Sequence, residues 1–312
     1  MSEPQGPPLV VLAAGLARRY GGLKQLEPVG PSGEAIMDYN IWDAIHAGFG
    51  RIVVVARPEI EEPILEHLRH VVGDAVPFSV CNQVPDLLPH GYRAPPDRRQ
   101  PWGTGHAVLC AARTFDGPFG VCNADDLYGR RAFERLAGFL RTDPPPPEAA
   151  LVGYTLSDTL SGSSRVSRGI CVLGRGGFLE SLTEIQDIRM VDGWITGVNV
   201  SGEVVELREQ EVASMNLFGL TRPVVDLLRR QFVRFLESWG ASTEAEFRIS
   251  TAINGQIRIG ATRCQVLVAE DRWFGMTDPD DREEAVREVA SRVDQESYPP
   301  DLAEAFRETS GT

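Results

Sequence analysis

Lysine is almost missing from this chain. Of its 31 basic residues, all but Lys24 are arginine, so whatever replaced ammonium by guanidinium elsewhere did not act at that one position. Positive charge is short altogether. With 44 acidic residues the net charge is −13, and no basic stripe offsets it, which excludes a nucleic-acid partner whose phosphates the chain would repel. A local Arg/Lys pocket can override that field, so small phosphorylated ligands stay open. Long hydrophobic runs are also missing: none approaches the ~20 apolar residues that span a bilayer, and no membrane role is expected. Cysteine is sparse. Cys81, Cys110, Cys122, Cys171 and Cys264 are widely spaced inside apolar runs, with neither zinc spacing nor a disulfide framework, and read as small buried hydrophobes of a reducing compartment. The stretch from Met1 to Gly6 has no basic segment and no export h-region, so a cytoplasmic location is expected.

What is present is ordinary for a globular enzyme: 42% hydrophobic and 24% charged residues over 312 positions, enough for one large core or a core with a small lobe. Apolar β-branched runs at 8–13, 51–56, 77–83 and 118–123 alternate with helical patterns near 34–48, 58–72, 104–113 and 130–141. This order predicts an α/β fold with a Rossmann-like, mostly parallel mixed sheet covered by helices on both faces. Asp143-Pro144-Pro145-Pro146-Pro147 reads as a turn or stiff spacer. Beyond it the pattern turns to strands at 149–155, 169–173, 194–200, 203–207, 212–220 and 263–269, with helices near 175–183, 222–238, 243–257 and 281–293. The expected organisation is a single domain over 1–293 with halves at about 8–143 and 149–293, then a loosely held polar tail over 294–312.

Ligands of such sheets bind beyond the carboxyl ends of the strands. The first of those ends runs from Leu12, Ala13, Ala14 and Gly15 through Arg19 to Lys24 and Gln25. A small-residue loop after a buried strand lets backbone N–H groups converge on anionic oxygens. Arg19 can grip two phosphate oxygens with its planar fork, whereas Lys24 delivers a compact charge to one. A second strand end carries Asn123-Ala124-Asp125-Asp126. Two acids there are costly to desolvate without a cation, and hard oxygen ligands suit Mg²⁺. Asp125 is the expected metal ligand, while Asp126 is expected to cap the helix that begins near Arg130. Gly103-Thr104-Gly105-His106-Ala107 is a Gly-rich turn opening a helix, whose N–H groups could meet a flat polar edge or a phosphate. No catalytic role is read for His106.

Taken in order over roughly residues 8 to 290, these motifs resemble the sugar-1-phosphate nucleotidyltransferases of the NTP transferase superfamily, as do Ser214-Met215-Asn216-Leu217-Phe218-Gly219 and Trp273-Phe274-Gly275-Met276. The resemblance implies a Mg²⁺-dependent enzyme that joins an NTP to a sugar 1-phosphate, or a similar phosphorylated alcohol, and releases pyrophosphate. It implies that Leu12 to Gly15 wrap the triphosphate, with Arg19 on the β- and γ-phosphates and Lys24 on the α-phosphate as it is attacked. Gln83 and Gly103, with Thr104 beside it, fall where the nucleotide base is read. Asp125 would hold Mg²⁺, Glu184 would meet sugar hydroxyls, and Asn216 the sugar or its phosphate. A phosphate monoester is already a nucleophile, so no general base is required.

The chain departs from the family pattern in several places. Ala17 replaces a further glycine, and Leu23 a proline. Residues 84–100 look like an insertion between the two base-reading positions. Ile185 follows Glu184 where a lysine for the sugar phosphate is usual, leaving Arg165, Arg168 or Arg189 as substitutes. Gly275 stands where a second metal-binding aspartate is usual, leaving Asp271 or Asp278. Two rival readings stand beside this one: a metal-dependent glycosyltransferase using an NDP-sugar, whose sheet is similar and whose acidic pair also holds a nucleotide's metal, and a nucleotide-binding regulatory module without turnover, which the missing aspartate and lysine motivate. The sequence assigns no oligomeric state.

Overall fold

Alternate residues of β1 (Pro8–Leu12) enter two different cores. Leu9, Val11 and the following Ala13 pack on one side with α1 (Ile36–Ala47) and α4 (Arg130–Arg141), while Val10, Leu12 and Ala14 pack on the other with α3 (Thr104–Ala111) and α5 (Arg222–Trp239). A strand apolar at every position is what a sheet covered on both faces requires. β2 (Arg51–Ala56) divides in the same way, with Ile52, Val54 and Ala56 on the first side and Val53 and Val55 on the second. The computed structural model describes residues 6–15, 23–142, 148–160, 165–191, 193–276 and 281–310. The run 143–147, expected as a turn or stiff spacer, lies outside them.

β1 pairs in parallel with β2 and with β4 (Phe119–Asn123), and β2 pairs in parallel with β3 (Phe78–Asn82). α2 (Pro58–Val71) links β2 to β3, and α3 lies between β3 and β4 in the chain. The second half joins this parallel half through β11 (Val212–Leu220), which runs antiparallel to β4. β11 also pairs with β6 (Glu148–Thr155) and β7 (Val166–Leu173). From β7 an antiparallel meander continues through β8 (Leu179–Val191), β9 (Trp194–Val198) and β10 (Val204–Leu207). On the far side of β6, β12 (Arg263–Val268) adds in parallel. A small separate ladder joins β5 (Asp126–Leu127) to β13 (Phe274–Gly275), so the acidic strand end and the Trp-Phe-Gly segment are hydrogen-bonded neighbours. α6 (Ile249–Arg258), α7 (Arg282–Asp294) and α8 (Leu302–Ser310) complete the described elements.

Two expectations are corrected. The helix near 175–183 is a short 3-10 turn at Arg175–Gly177 followed by β8. From Leu179 onward that segment pairs antiparallel with β7, and Gly176-Gly177 disfavours a helix before it. The polar tail is docked. Leu302 and Phe306 are buried against α1 and α2, the Leu302 N–H donates to Glu34 Oε1 at 3.0 Å, and the Tyr298 hydroxyl donates to Asp43 Oδ2 at 2.7 Å. Counting polar residues misses such a helix, because two large apolar anchors suffice to seat it.

Asp43 carries a pH signature. Burial pushes its carboxyl up to about 7, while the Tyr298 hydrogen bond and Arg130 pull the other way. Because the folded protein holds this proton more tightly than the unfolded chain, stability falls as pH rises from the ordinary carboxylate range through about 7, then levels off. Asp43→Asn is expected to flatten that slope, worth on the order of a few kcal/mol. Urea midpoints between pH 5 and 8.5 measure it, and an unchanged slope would assign the proton elsewhere.

Candidate active site at the strand ends

The carboxyl ends of β1 and β4 are held in register, Leu12 opposite Asn123, and the Ala124 N–H donates to Leu12 O at 3.1 Å. Both sequence-predicted loops therefore leave the sheet side by side, at the floor of a cleft of about 1000 Å³. Leu12, Ala14, Gly15, Lys24, Gln83, Gly103, Thr104, Asp125, Glu184 and Asn216 all line it. Ala13 points away into the core, its N–H donating to Val55 O. Arg19 and Asp278 lie outside the described residues.

Lys24 Nζ donates to Asp125 Oδ2 at 2.6 Å, with the lysine side chain only 12% exposed. Gln25, the next residue, donates to Gly15 O at 3.1 Å, which ties the end of β1 to Lys24. An ammonium already seated on Asp125 shows that this carboxylate takes a cation. Asp126 faces the same cleft. Its Oδ2 accepts from Asn123 Nδ2 at 2.8 Å and from the Tyr128 hydroxyl at 3.2 Å. Burial, then the charge of Asp125, push its carboxyl up to about 7, against Asn123, Arg168 and Tyr128. Two carboxyl groups at one strand end, with hard oxygen atoms, form a donor set suited to Mg²⁺.

The two acids offered for other roles have changed places. Asp271, a candidate metal ligand, instead accepts from the Ala132 N–H at 2.9 Å and so caps the N-terminus of α4. Asp126, expected to make that cap, stands at the cleft, cross-strand from Gly275. A Cβ on Gly275 would lie 2.5 Å from Asp126 Oδ1 and 2.2 Å from the Trp273 ring. Asp126 therefore fills space that a side chain at 275 would need.

Asn216 sits on a β-bulge. The register between β11 and β6 shifts between Ser214 and Leu217, and Asn216 adopts φ +60°. Asparagine tolerates this left-handed conformation better than most residues, and the bulge turns its side chain into the cleft. The Tyr128 hydroxyl also lies 2.8 Å from Met215 O, so the acidic strand end and the bulge share one anchor.

The Gly103-Thr104-Gly105 turn is glycine-rich for a packing reason. The Phe247 N–H donates to Trp102 O at 2.7 Å and the Gly105 N–H to Phe247 O at 2.8 Å, and a Cβ on either glycine would meet Phe247 within 3 Å. One of the turn's N–H groups is therefore already used, and the Thr104 hydroxyl accepts from the Ile249 N–H at 3.1 Å. The insertion over 84–100 reinforces this seam. Buried Arg98 lies 3.4 Å over the Trp102 ring and donates to the carbonyls of Pro101, Ser242 and Ala245.

Of the arginines offered in place of the missing lysine, Arg168 lines the cleft. It stacks 4.8 Å over Trp273, and burial pushes its guanidinium down to about 10, opposed by Asp126, which leaves it charged at neutral pH. Arg165 and Arg189 are not in the lining, whereas Arg248 and Arg258 are. Arg248 Nη1 donates to both Glu184 oxygens at 2.8 and 3.0 Å, and its Nε to Glu246 at 3.2 Å. Sequence reading missed Arg248 because its partner Glu184 is 64 residues away. The only local signal was an arginine directly before an amphipathic helix.

Residues 9–143 match the model of the MobA-like NTP transferase domain. No curated protein matches the sequence. Among solved structures, the inositol-1-phosphate CTP transferase from T. maritima superposes with a TM-score of 0.60 at 14% identity, over 93% of this chain and 96% of that one. A UDP-glucose pyrophosphorylase complexed with UDP-glucose gives a TM-score of 0.58 at 15% identity, over 92% and 99%. The fold is thus the α/β nucleotidyltransferase fold.

Proposed function

We propose that this chain transfers a nucleotidyl group from an NTP to a phosphorylated alcohol of the sugar 1-phosphate class, releasing pyrophosphate. The observation that carries the reading is the Lys24–Asp125 pair at the strand ends of an NTP transferase domain, facing a second half that offers Glu184, Arg248, Arg168 and Asn216. The two solved structures it resembles are named for CTP transfer to inositol 1-phosphate and for UDP-glucose pyrophosphorolysis. Both reactions are of this class.

An oxygen of the acceptor phosphate attacks the α-phosphorus of the NTP in line, forming one P–O bond as the bond to pyrophosphate breaks. The acceptor arrives ionised, so the protein need not remove a proton. Its task is to bring two mutually repelling anions together and to neutralise charge that grows on the α-phosphate. Lys24 is assigned to an α-phosphate oxygen. Asp125, with Asp126 beside it, would hold Mg²⁺, which when bound supplies further charge neutralisation. Arg19 is assigned to the β- and γ-phosphates, and the Leu12–Gly15 backbone to the triphosphate. Glu184 and Asn216 orient the acceptor, while Arg248 and Arg168 supply the cationic groups for its phosphate.

Pyrophosphate release from each NTP against a panel of sugar, cyclitol and polyol phosphates tests this reading. Turnover with no pair, despite NTP binding, would favour the regulatory alternative. Arg248→Gln is expected to raise KM for the acceptor at least tenfold, the scale of a lost charge-assisted hydrogen bond, with KM for NTP unchanged. An equal rise in both would place Arg248 elsewhere in the reaction.

A further inference from the structure

His106 carries no catalytic role in the proposed reaction, but its hydrogen bonds fix what the cleft can read. It is buried, with its ring stacked on Phe232 at 5.0 Å. Its Nε2 lies 2.9 Å from Leu87 O in the insertion. A carbonyl oxygen can only accept, so Nε2 carries the proton, and a buried neutral imidazole then has a bare lone pair on Nδ1. Burial pushes the ring's pKa down to about 4, consistent with that neutral form. Gln83 Nε2 lies 3.2 Å from His106 Nδ1 and 2.9 Å from Gly103 O. Both neighbours are acceptors, so the amide nitrogen spends its two N–H groups on them and its orientation is settled. The remaining polar atom, Gln83 Oε1, is left for the cleft that Gln83 lines.

We infer that His106, held by the Leu87 carbonyl, locks Gln83 as an acceptor only, so that the accepted nucleotide is one whose base places an N–H against Gln83 Oε1. This rests on the nucleotidyl-transfer reading and adds to it the polarity of base recognition and a positioning residue. A base offering only a ring nitrogen lone pair at that point would meet two acceptors face to face, the type of mismatch that a buried polar site rejects most strongly. The insertion acquires a role as well, since its Leu87 carbonyl selects the imidazole tautomer on which the lock depends.

Calorimetric titration with ATP, GTP, CTP, UTP and dTTP in Mg²⁺, without acceptor, first identifies the nucleotide bound. If none binds, the nucleotidyl-transfer reading fails and this inference with it. Analogues of the best binder, methylated at each Watson–Crick N–H in turn, are then titrated. At least one is expected to lose tenfold or more in affinity, and in Gln83→Leu that penalty is expected to shrink below threefold. A smaller loss, or a penalty that persists in Gln83→Leu, overturns the inference. His106→Phe keeps the stack on Phe232 and removes the contacts to Leu87 and Gln83. It is expected to narrow the affinity ratio between the best and second-best NTP at least threefold, whereas a merely structural role would weaken all NTPs alike. If that variant does not fold, the analogue series alone decides.

Discussion

Lys24→Ala is expected to lower kcat about a thousandfold while KM for the NTP changes far less, on the scale of removing one preorganised group from a developing oxyanion. The geometry explains the asymmetry. Lys24 is held on Asp125 at 2.6 Å in a site where its side chain is 12% exposed, so its charge is directed and only weakly screened by water. In the proposed reaction its contribution would grow as charge accumulates on the α-phosphate, the signature of a transition-state interaction. Lys24→Arg should restore little, because a planar fork cannot occupy the volume of an ammonium seated on one carboxylate oxygen. Steady-state kinetics with the preferred NTP and acceptor measures both variants. A rise confined to KM would make Lys24 an anchor for ground-state phosphate.

Gly275→Asp, which puts back the residue usual in the family pattern, is expected to destabilise the protein by about 3 kcal/mol, the upper range for overpacking a filled site. The new Cβ would lie 2.2 Å from the Trp273 ring and 2.5 Å from Asp126 Oδ1, and the new carboxylate would add a third negative charge beside Asp125 and Asp126. Trp273 is buried and covered by Arg168, which leaves it little room to yield. Urea denaturation without metal tests this, and wild-type stability would show that Asp126 does not hold the space. Gly275→Ala separates the steric part from the charge.

The parts of this molecule that could be read in the sequence are those encoded locally. The all-apolar runs of β1 and β2 announced a sheet buried on both faces. The glycines and the lone lysine after β1, and the acidic pair after β4, announced the floor of the cleft. Asn216 was carried over from the family pattern, and its left-handed bulge gives that position a structural reason. Illegible were the choices made through space. Whether Asp126 or Asp271 caps α4 depends on the β5–β13 ladder, which brings together segments far apart in sequence. Arg248 and Glu184 meet only because α6 packs on β8. The role of His106 needed three contacts, to Leu87, Gln83 and Phe232, none of which follows from Gly-Thr-Gly-His as a motif.

The seating of Tyr298, Leu302 and Phe306 on α1 and its surroundings has a consequence in time. Tyr298 and Asp43 are 255 residues apart in the chain, so at ribosomal rates of about 5–20 residues per second the outer surface of α1 waits roughly 10 to 50 s for its cover. During that interval a nearly complete N-terminal half emerges with Tyr39 and Trp42 uncovered and Asp43 without its hydroxyl partner. Synthesis is therefore a stage at which this face of α1 is exposed to aggregation.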